Sequence, residues 1–267
     1  MNPESVALYL DKLVYQEEIR QKEETLNGLV RAHLEHIPFE NLDVFDEKRV
    51  PSLKPEELFE KIVAGKRGGY CYELNTLFKE LLESLGFSVY GVAARVLWNK
   101  TELPPFAHML LICELDRKKY CCDVGYGGPG PKGLVLLKEG EQVIAGERFY
   151  IEKKPPAQAG STLEVFQICR QSHGEWKPVL WLQDTPFLPQ DFKLLNFYCA
   201  KNPEILFTRK RVVNLCTRTG SRALMDMELT VRDGDIVRKK VYQNTEELER
   251  GLEEEFGICF SFRPEAF

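Results

Sequence analysis

The chain has 267 residues, 43% hydrophobic and 11% aromatic, enough to bury one large core or two to three smaller ones, which excludes wholesale disorder. A formal net charge of −5 argues against the net basic surface that nucleic-acid binding requires, and leaves room only for local basic clusters. Glu4 and Asp11 interrupt the N-terminal amphipathic segment and no apolar run approaches the roughly eighteen residues of a spanning helix, so a soluble cytoplasmic protein without leader or membrane anchor is expected.

In chain order, Asn2-Pro3 starts a first helix carrying Val6, Tyr9, Leu10 and Leu13 at helical period. A second helix is predicted over 18–36 through Leu26, Leu29, Val30, His33 and Leu34, and a third over 55–64 through Leu58, Ile62 and Val63. A fourth begins at Cys71; its stripe of Leu74, Leu77, Phe78, Leu81, Leu82 and Leu85 stops at Gly86, a C-terminal cap. From Phe87 to about Gln183 the pattern turns to short β runs, at 87–97, 107–115, 119–123, 133–137, 149–152, 163–170 and 179–183, which suggest a barrel or sandwich. Residues 184–191, with Pro186 and Pro189, read as a linker. A short helix over 192–200 follows, then strands at 212–216, 223–231 and 236–242, the last two turned at Asp233-Gly234. Thr245 is expected to cap a final acidic helix over 246–256. The segments expected are thus a helical one (1–86), a β-barrel (87–185) and an α/β one (186–267), an α+β architecture.

Eight cysteines, Cys71, Cys113, Cys121, Cys122, Cys169, Cys199, Cys216 and Cys259, form no CxxC pair, and with only four histidines no zinc quartet is spaced for binding. They are expected to be reduced, and Cys121 and Cys122 to face opposite sides of a strand. Cys71 follows Arg67-Gly68-Gly69-Tyr70 at a helix start, where a thiol pKa is lowered and a nucleophile results; a buried structural cysteine is the plain alternative. A thiolate needs an imidazole and the imidazole a carboxylate. A hairpin turned near 116–118 would bring His108, at the start of one strand, almost opposite Asp123, at the end of the next. Taken alone, Cys71 is more often a buried structural cysteine and His108 a packed or surface histidine.

Four motifs in order resemble the arylamine N-acetyltransferase family: His36-Ile37-Pro38-Phe39-Glu40-Asn41-Leu42, the run 67–75 around Cys71, the strand opening at His108, and Asp123-Val124-Gly125-Tyr126-Gly127. A weaker likeness continues through 196–207 and Gly220-Ser221-Arg222. The resemblance implies a helical bundle, a central antiparallel β-barrel and an α/β lid around a transglutaminase- or papain-like cysteine core. It implies a Cys71-His108-Asp123 triad and ping-pong acetyl transfer from acetyl-CoA to an arylamine or hydrazine. It further implies a buried Glu40–Arg67 ion pair with Asn41 beside it as structural support, an acceptor pocket lined by Phe39, Val96, Tyr126 and Phe207, and coenzyme contacts from Gly125, Gly127, Gly128, Thr208 and Ser221. Tyr126 stands where the family usually has phenylalanine, and Ile205 where many relatives have serine. Arg209 to Arg211 are coenzyme candidates or a solvated face. No metal, nucleic-acid or membrane partner is expected, and a monomer or weak homo-oligomer is. Three rival readings are an amide synthase of the same fold acting on a polyketide thioester, a thiol hydrolase or transglutaminase-like enzyme, and a non-enzymatic binding module.

Overall fold

Asn2 caps the first helix, α1 (Pro3–Lys12), its side-chain oxygen accepting from the Ser5 N–H at 2.8 Å. The computed structural model describes residues 1–156 and 162–262. Helix α2 runs Glu23–His36 and begins later than expected: its buried face starts only at Thr25 and Leu26, and Glu23 and Glu24 suit the positive end of a helix dipole. A two-residue strand, β1 (Phe39–Glu40), and a single turn, α3 (Leu42–Phe45), follow. The predicted third helix is α4 (Pro55–Phe59) running into a π-helical turn, Glu60–Ala64, closed by the Gly65 N–H on the Glu60 carbonyl at 2.8 Å. Helix α5 (Cys71–Ser84) buries Leu74, Leu77, Phe78, Leu81 and Leu82 completely, and Gly86, at φ +86°, turns the chain out of it.

Eight antiparallel strands follow: β2 (Ser88–Val96), β3 (His108–Leu115), β4 (Lys118–Cys122), β5 (Val135–Leu136), β6 (Gly140–Ile144), β7 (Glu147–Lys154), β8 (Val165–Ser172) and β9 (Glu175–Gln183). Their order, β5-β4-β3-β2-β9-β8-β7-β6, curls into a nearly closed barrel. The Gln142 side chain bridges its open seam, accepting from the Leu136 N–H at 3.0 Å and donating to the Leu136 carbonyl at 2.7 Å. Leu110, Ile112 and Cys121 face the barrel core, while Met109, Leu111, Cys113 and Cys122 face the helices, so β3 is buried on both sides and the adjacent cysteines part as alternation requires.

The stretch 184–191 is tied down rather than free: Asp184 accepts from Tyr90 Oη at 2.7 Å and Lys119 Nζ at 2.6 Å, and the Phe187 N–H from β9's exit donates to the Gly91 carbonyl at 2.9 Å. Helix α6 (Pro189–Lys201) and one turn, α7 (Leu206–Arg209), precede a second sheet, β10 (Val212–Thr217), β11 (Gly220–Met225), β12 (Glu228–Asp233) and β13 (Ile236–Val241), on which α8 (Thr245–Phe256) packs. The strand predicted at 223–231 is therefore two strands, because Asp226 takes φ +55° and folds them into a hairpin. Asn244, not Thr245, caps α8, accepting from the Glu247 N–H at 2.9 Å. The sheet order β1-β10-β11-β12-β13 lets β1 carry Phe39 to Asn214 and Glu40 to Val213. Among the described residues no helix is long and apolar enough to cross a membrane.

Candidate active site

Cys71 is the first residue of α5 and is 1% exposed. The loop before it runs so close to Pro38 that a Cβ on Gly68 would lie 1.9 Å from the Pro38 carbonyl oxygen, which explains the glycine. One helical turn on, Asn75 faces the same way as Cys71 and meets the end of the β3–β4 hairpin. Its Nδ2 donates to the Met109 carbonyl at 2.8 Å and to Asp123 Oδ1 at 3.1 Å, and its Oδ1 accepts from the Val124 N–H at 3.2 Å. Gly125 lies against the nucleophile's helix: a Cβ there would stand 2.6 Å from Cys71 Cα.

His108 Nε2 and Asp123 Oδ2 are 2.6 Å apart, both side chains buried. The hairpin turns on Asp116 and Arg117, both in the left-handed region, and pairs Leu111 with Cys122. Extended by one residue, that register sets Asp123 diagonal to His108 rather than almost opposite, a separation their side chains span. Asp123 Oδ1 also accepts from the Gly125 N–H at 2.9 Å. With Oδ1 already accepting from the Gly125 and Asn75 N–H groups, Oδ2 is the oxygen turned to His108 Nε2.

Burial raises the Cys71 thiol well above its ordinary pKa; the Cys199 thiol pushes the same way, the Met109 backbone N–H opposes, and the Asp123 carboxylate adds to the rise. Desolvation is the largest of these influences, and the helix N-terminus at which Cys71 stands works against it. Cys199, on α6, has its sulfur 3.5 Å from Tyr72 Oη and 3.6 Å from the Ala107 carbonyl, on the flank of His108.

Behind the Cys71 loop lies a buried charge network. Arg67 Nε donates to Glu40 Oε1 at 2.9 Å, and its NH2 lies 2.7 Å from Asp43 Oδ1. Lys61 Nζ reaches Asp43 Oδ2 at 2.9 Å, Glu73 Oε1 at 2.7 Å and Glu40 Oε1 at 3.6 Å. Asn41 spends its amide on the C-terminal part, donating to the Phe207 and Lys210 carbonyls at 2.8 Å each and accepting from the Val212 N–H at 2.7 Å.

Of the residues expected to line an acceptor pocket, Phe39 and Phe207 pack with ring centroids 5.6 Å apart, and Tyr126 stands edge-on to His108 at 5.8 Å. Val96 and Tyr126 both pack on the barrel core. Gly127, at φ +67°, passes directly over the Phe39 ring; Gly128 lies against Tyr126. Thr208 and Ser221 stand outside this contact set. The Thr208 hydroxyl is taken by the Asn202 and Ile205 carbonyls at 2.9 Å, and the residue lines a separate cavity of about 230 Å³ with Val44, Lys48, Lys201 and Arg209. Ser221 sits opposite Cys216, two ladder positions beyond the Asn214–Ala223 pair. Arg211 is engaged by Asp46 at 3.1 Å through Nε and by the Asp226 carbonyl at 3.0 Å, so it is neither a free coenzyme candidate nor a solvated face. Sequence reading assigned no role to Lys61, Asp43, Asn75 or Cys199; only Asn75, four residues after Cys71 on its helix face, carried a signal.

A family model described as N-acetyltransferase matches residues 23–264. The arylamine N-acetyltransferase of Escherichia coli is 46% identical over 87% of this chain and 82% of its own. The N-malonyltransferase FDB2 of Fusarium pseudograminearum is 30% identical over 69% of this chain, and the match spans 61% of that relative's length. Among solved structures, the arylamine N-acetyltransferase from Salmonella typhimurium superposes with a TM-score of 0.88 at 26% identity, covering 100% of this chain and 95% of that one. The Mycobacterium marinum arylamine N-acetyltransferase in complex with CoA gives 0.84 at 26% identity over 95% of this chain and 93% of that one. With the fold matched over its whole length and the family model over most of it, the chain belongs to the arylamine N-acetyltransferase family of acyltransferases.

Proposed function

We propose that this chain carries an acetyl group from acetyl-CoA to an aromatic amine or hydrazine through a thioester on Cys71. The observation that carries the reading is the buried His108–Asp123 pair, latched by Asn75 to the helix that begins at Cys71. Because burial raises the thiol, the thiolate forms by passing its proton to an imidazole that Asp123 holds and stabilises once charged. The sulfur adds to the thioester carbonyl, the carbon–sulfur bond to CoA breaks, and CoA leaves with the proton from His108. An amine then adds to the acetyl-cysteine, His108 takes its proton, and the Cys71 thiolate departs. With Cys71 1% exposed, water is kept from the intermediate. The aromatic walls of Phe39, Phe207 and Tyr126 suit a planar acceptor.

Relatives named as N-malonyltransferases raise a second donor, malonyl-CoA. The charge beside Cys71 is the Asp123 carboxylate, and the cations behind its loop, Lys61 and Arg67, are both held by carboxylates. A malonyl carboxylate would meet repulsion from Asp123, and Arg170, the cation that acts on Tyr126, is itself paired with Glu147 at 2.7 Å, so the neutral acetyl group is favoured. The test is intact mass after acetyl-CoA or malonyl-CoA: one acetyl group on the wild type, none on Cys71→Ala, and discharge on adding an arylamine. An unmodified wild type would remove the thioester mechanism. Faster loading by malonyl-CoA would reverse the donor assignment, and acetate release independent of amine would favour the hydrolase reading.

A further inference from the structure

Lys61 has no place in the chemistry above, yet it is one of the most heavily engaged side chains in the molecule. It projects from the π-helical turn, is 14% exposed, and contacts three carboxylates from two directions. Glu40 and Asp43 belong to the segment that also carries Phe39 and Asn41, which form the acceptor wall and the tie to α7 and β10. Glu73 belongs to the first turn of α5, and its second oxygen, Oε2, accepts from the Tyr70 N–H at 3.0 Å. Tyr70 is the residue from which the chain turns into Cys71.

We propose that Lys61 is a positioning residue for the nucleophile: by holding Glu73, it fixes the turn at Tyr70 and so the place at which Cys71 meets His108. The inference rests on Cys71 being the acylated residue. Its physical basis is charge balance. Three buried carboxylates, Glu40, Asp43 and Glu73, face Lys61 and Arg67, with Arg49 reaching Asp43 from the surface at 3.0 Å. Without Lys61, three carboxylates remain with two cations, and Glu73, which neither arginine touches within 4.0 Å, is the one left unpartnered. Burial raises Glu73 to about 7 even with Lys61 opposing, and Glu40 and Asp43 push it further up. Loss of Lys61 therefore leaves Glu73 protonated near neutrality, with its cap on Tyr70 intact. As pH rises, a forced charge beside Glu40 and Asp43 drives the carboxylate out and disturbs the turn.

A merely structural lysine would lower the amount of folded protein without changing the pH profile of acylation; a positioning lysine changes that profile. The experiment follows single-turnover acylation by acetyl-CoA at pH 6 and pH 8, per folded molecule, in the wild type, Lys61→Met, Glu73→Gln and Lys61→Met/Glu73→Gln. Lys61→Met is expected to acylate roughly tenfold or more slowly than the wild type at pH 8, with a smaller deficit at pH 6. The double variant, neutral at both positions, is expected to lose that pH dependence and regain most of the rate. Lys61→Gln, which keeps one donor toward Glu73, supplies the same comparison should Lys61→Met not fold. Wild-type rates in Lys61→Met at both pH values, or a deficit that is equal at both and unrelieved by Glu73→Gln, would overturn the inference. A wild type that takes up no acetyl group would remove the underlying reading and this inference with it; normal wild-type acylation beside an unaffected variant removes this inference alone.

Discussion

Gly125 shows how little room the site has. A Cβ at this position would come within 2.6 Å of Cys71 Cα and 2.7 Å of Asn75 Nδ2, and neither neighbour can retreat: one is backbone, the other is bonded to Met109 and Asp123. Gly125→Ala is expected to push the hairpin end off α5, lowering stability by about 1–3 kcal/mol as overpacking does. Its acylation rate should fall on the order of a hundredfold, since a displacement near 1 Å has that effect on a reacting pair. Urea unfolding and an intact-mass time course read the two separately, and a wild-type acylation rate would show that the close contact does not set the geometry. At this scale the sequence was informative wherever a residue type is rare in its role. A cysteine after two glycines, a histidine opening a strand and an aspartate closing the next are each visible. Asn75 carried only its spacing from Cys71, and Lys61 carried nothing, because a lysine inside an amphipathic helix ordinarily faces solvent; the hairpin gives Asn75 its partners, and the 39–43 segment and Glu73 give Lys61 its own.

Asn41 plays for the elements the part that Gly125 plays for the residues. Its one amide satisfies two carbonyls at the ends of α7 and the first N–H of β10, joining the C-terminal sheet to the segment that carries Phe39. Removing it leaves one buried and two part-buried backbone groups without their partner, and at about 1 kcal/mol net for each bond Asn41→Ala is expected to cost ~2–4 kcal/mol. The loss should be local first: hydrogen exchange should accelerate for amides of 207–212 while those of α5 remain protected. Uniform acceleration throughout would show that Asn41 stabilises the whole fold rather than this junction. The elements legible beforehand were those with a long apolar period, α1, α5 and most barrel strands. Strand β6 was missed because Gly140-Glu141-Gln142 offers no apolar alternation; its place is fixed by β7 and by the Gln142 bridge. The single-turn α7 was missed because one turn has no period to read. The hairpin inside 223–231 was missed because Asp226-Met227 lacks the glycine that usually announces such a turn.

Across the whole molecule, two buried groups set opposite responses to acid. His33 sits between α1 and α5, its Nε2 2.9 Å from Tyr9 Oη and its ring centroid 5.2 Å from that of Phe78; burial lowers its pKa from 6.5 to about 3. Between those values the unfolded chain binds a proton that the folded chain refuses, so this histidine removes stability as pH falls, ~2 kcal/mol by pH 5. Glu73 has the contrary sign. Its folded pKa is raised by burial from 4.5 to about 7, so between those values the folded chain binds the extra proton and stability grows as pH falls, again by ~2 kcal/mol from pH 7 to pH 5. Asp43, held well below its ordinary range by Lys61 and Arg67 against the upward push of burial, contributes stability that is lost only as pH drops below about 4. The wild type is therefore expected to show nearly constant stability between pH 7 and pH 5, as the sum of two slopes that cancel. Glu73→Gln should unmask the histidine and weaken the protein by ~2 kcal/mol over that interval, and His33→Gln should unmask the carboxylate and strengthen it by a similar amount. Urea unfolding at pH 7, 6 and 5 reads these slopes independently of each substitution's fixed effect on stability. Parallel pH curves for the wild type and both variants would mean that neither group titrates as its burial requires; cancellation in the wild type with opposite slopes in the variants ties the acid response of the helical core to the carboxylate that caps the turn into Cys71.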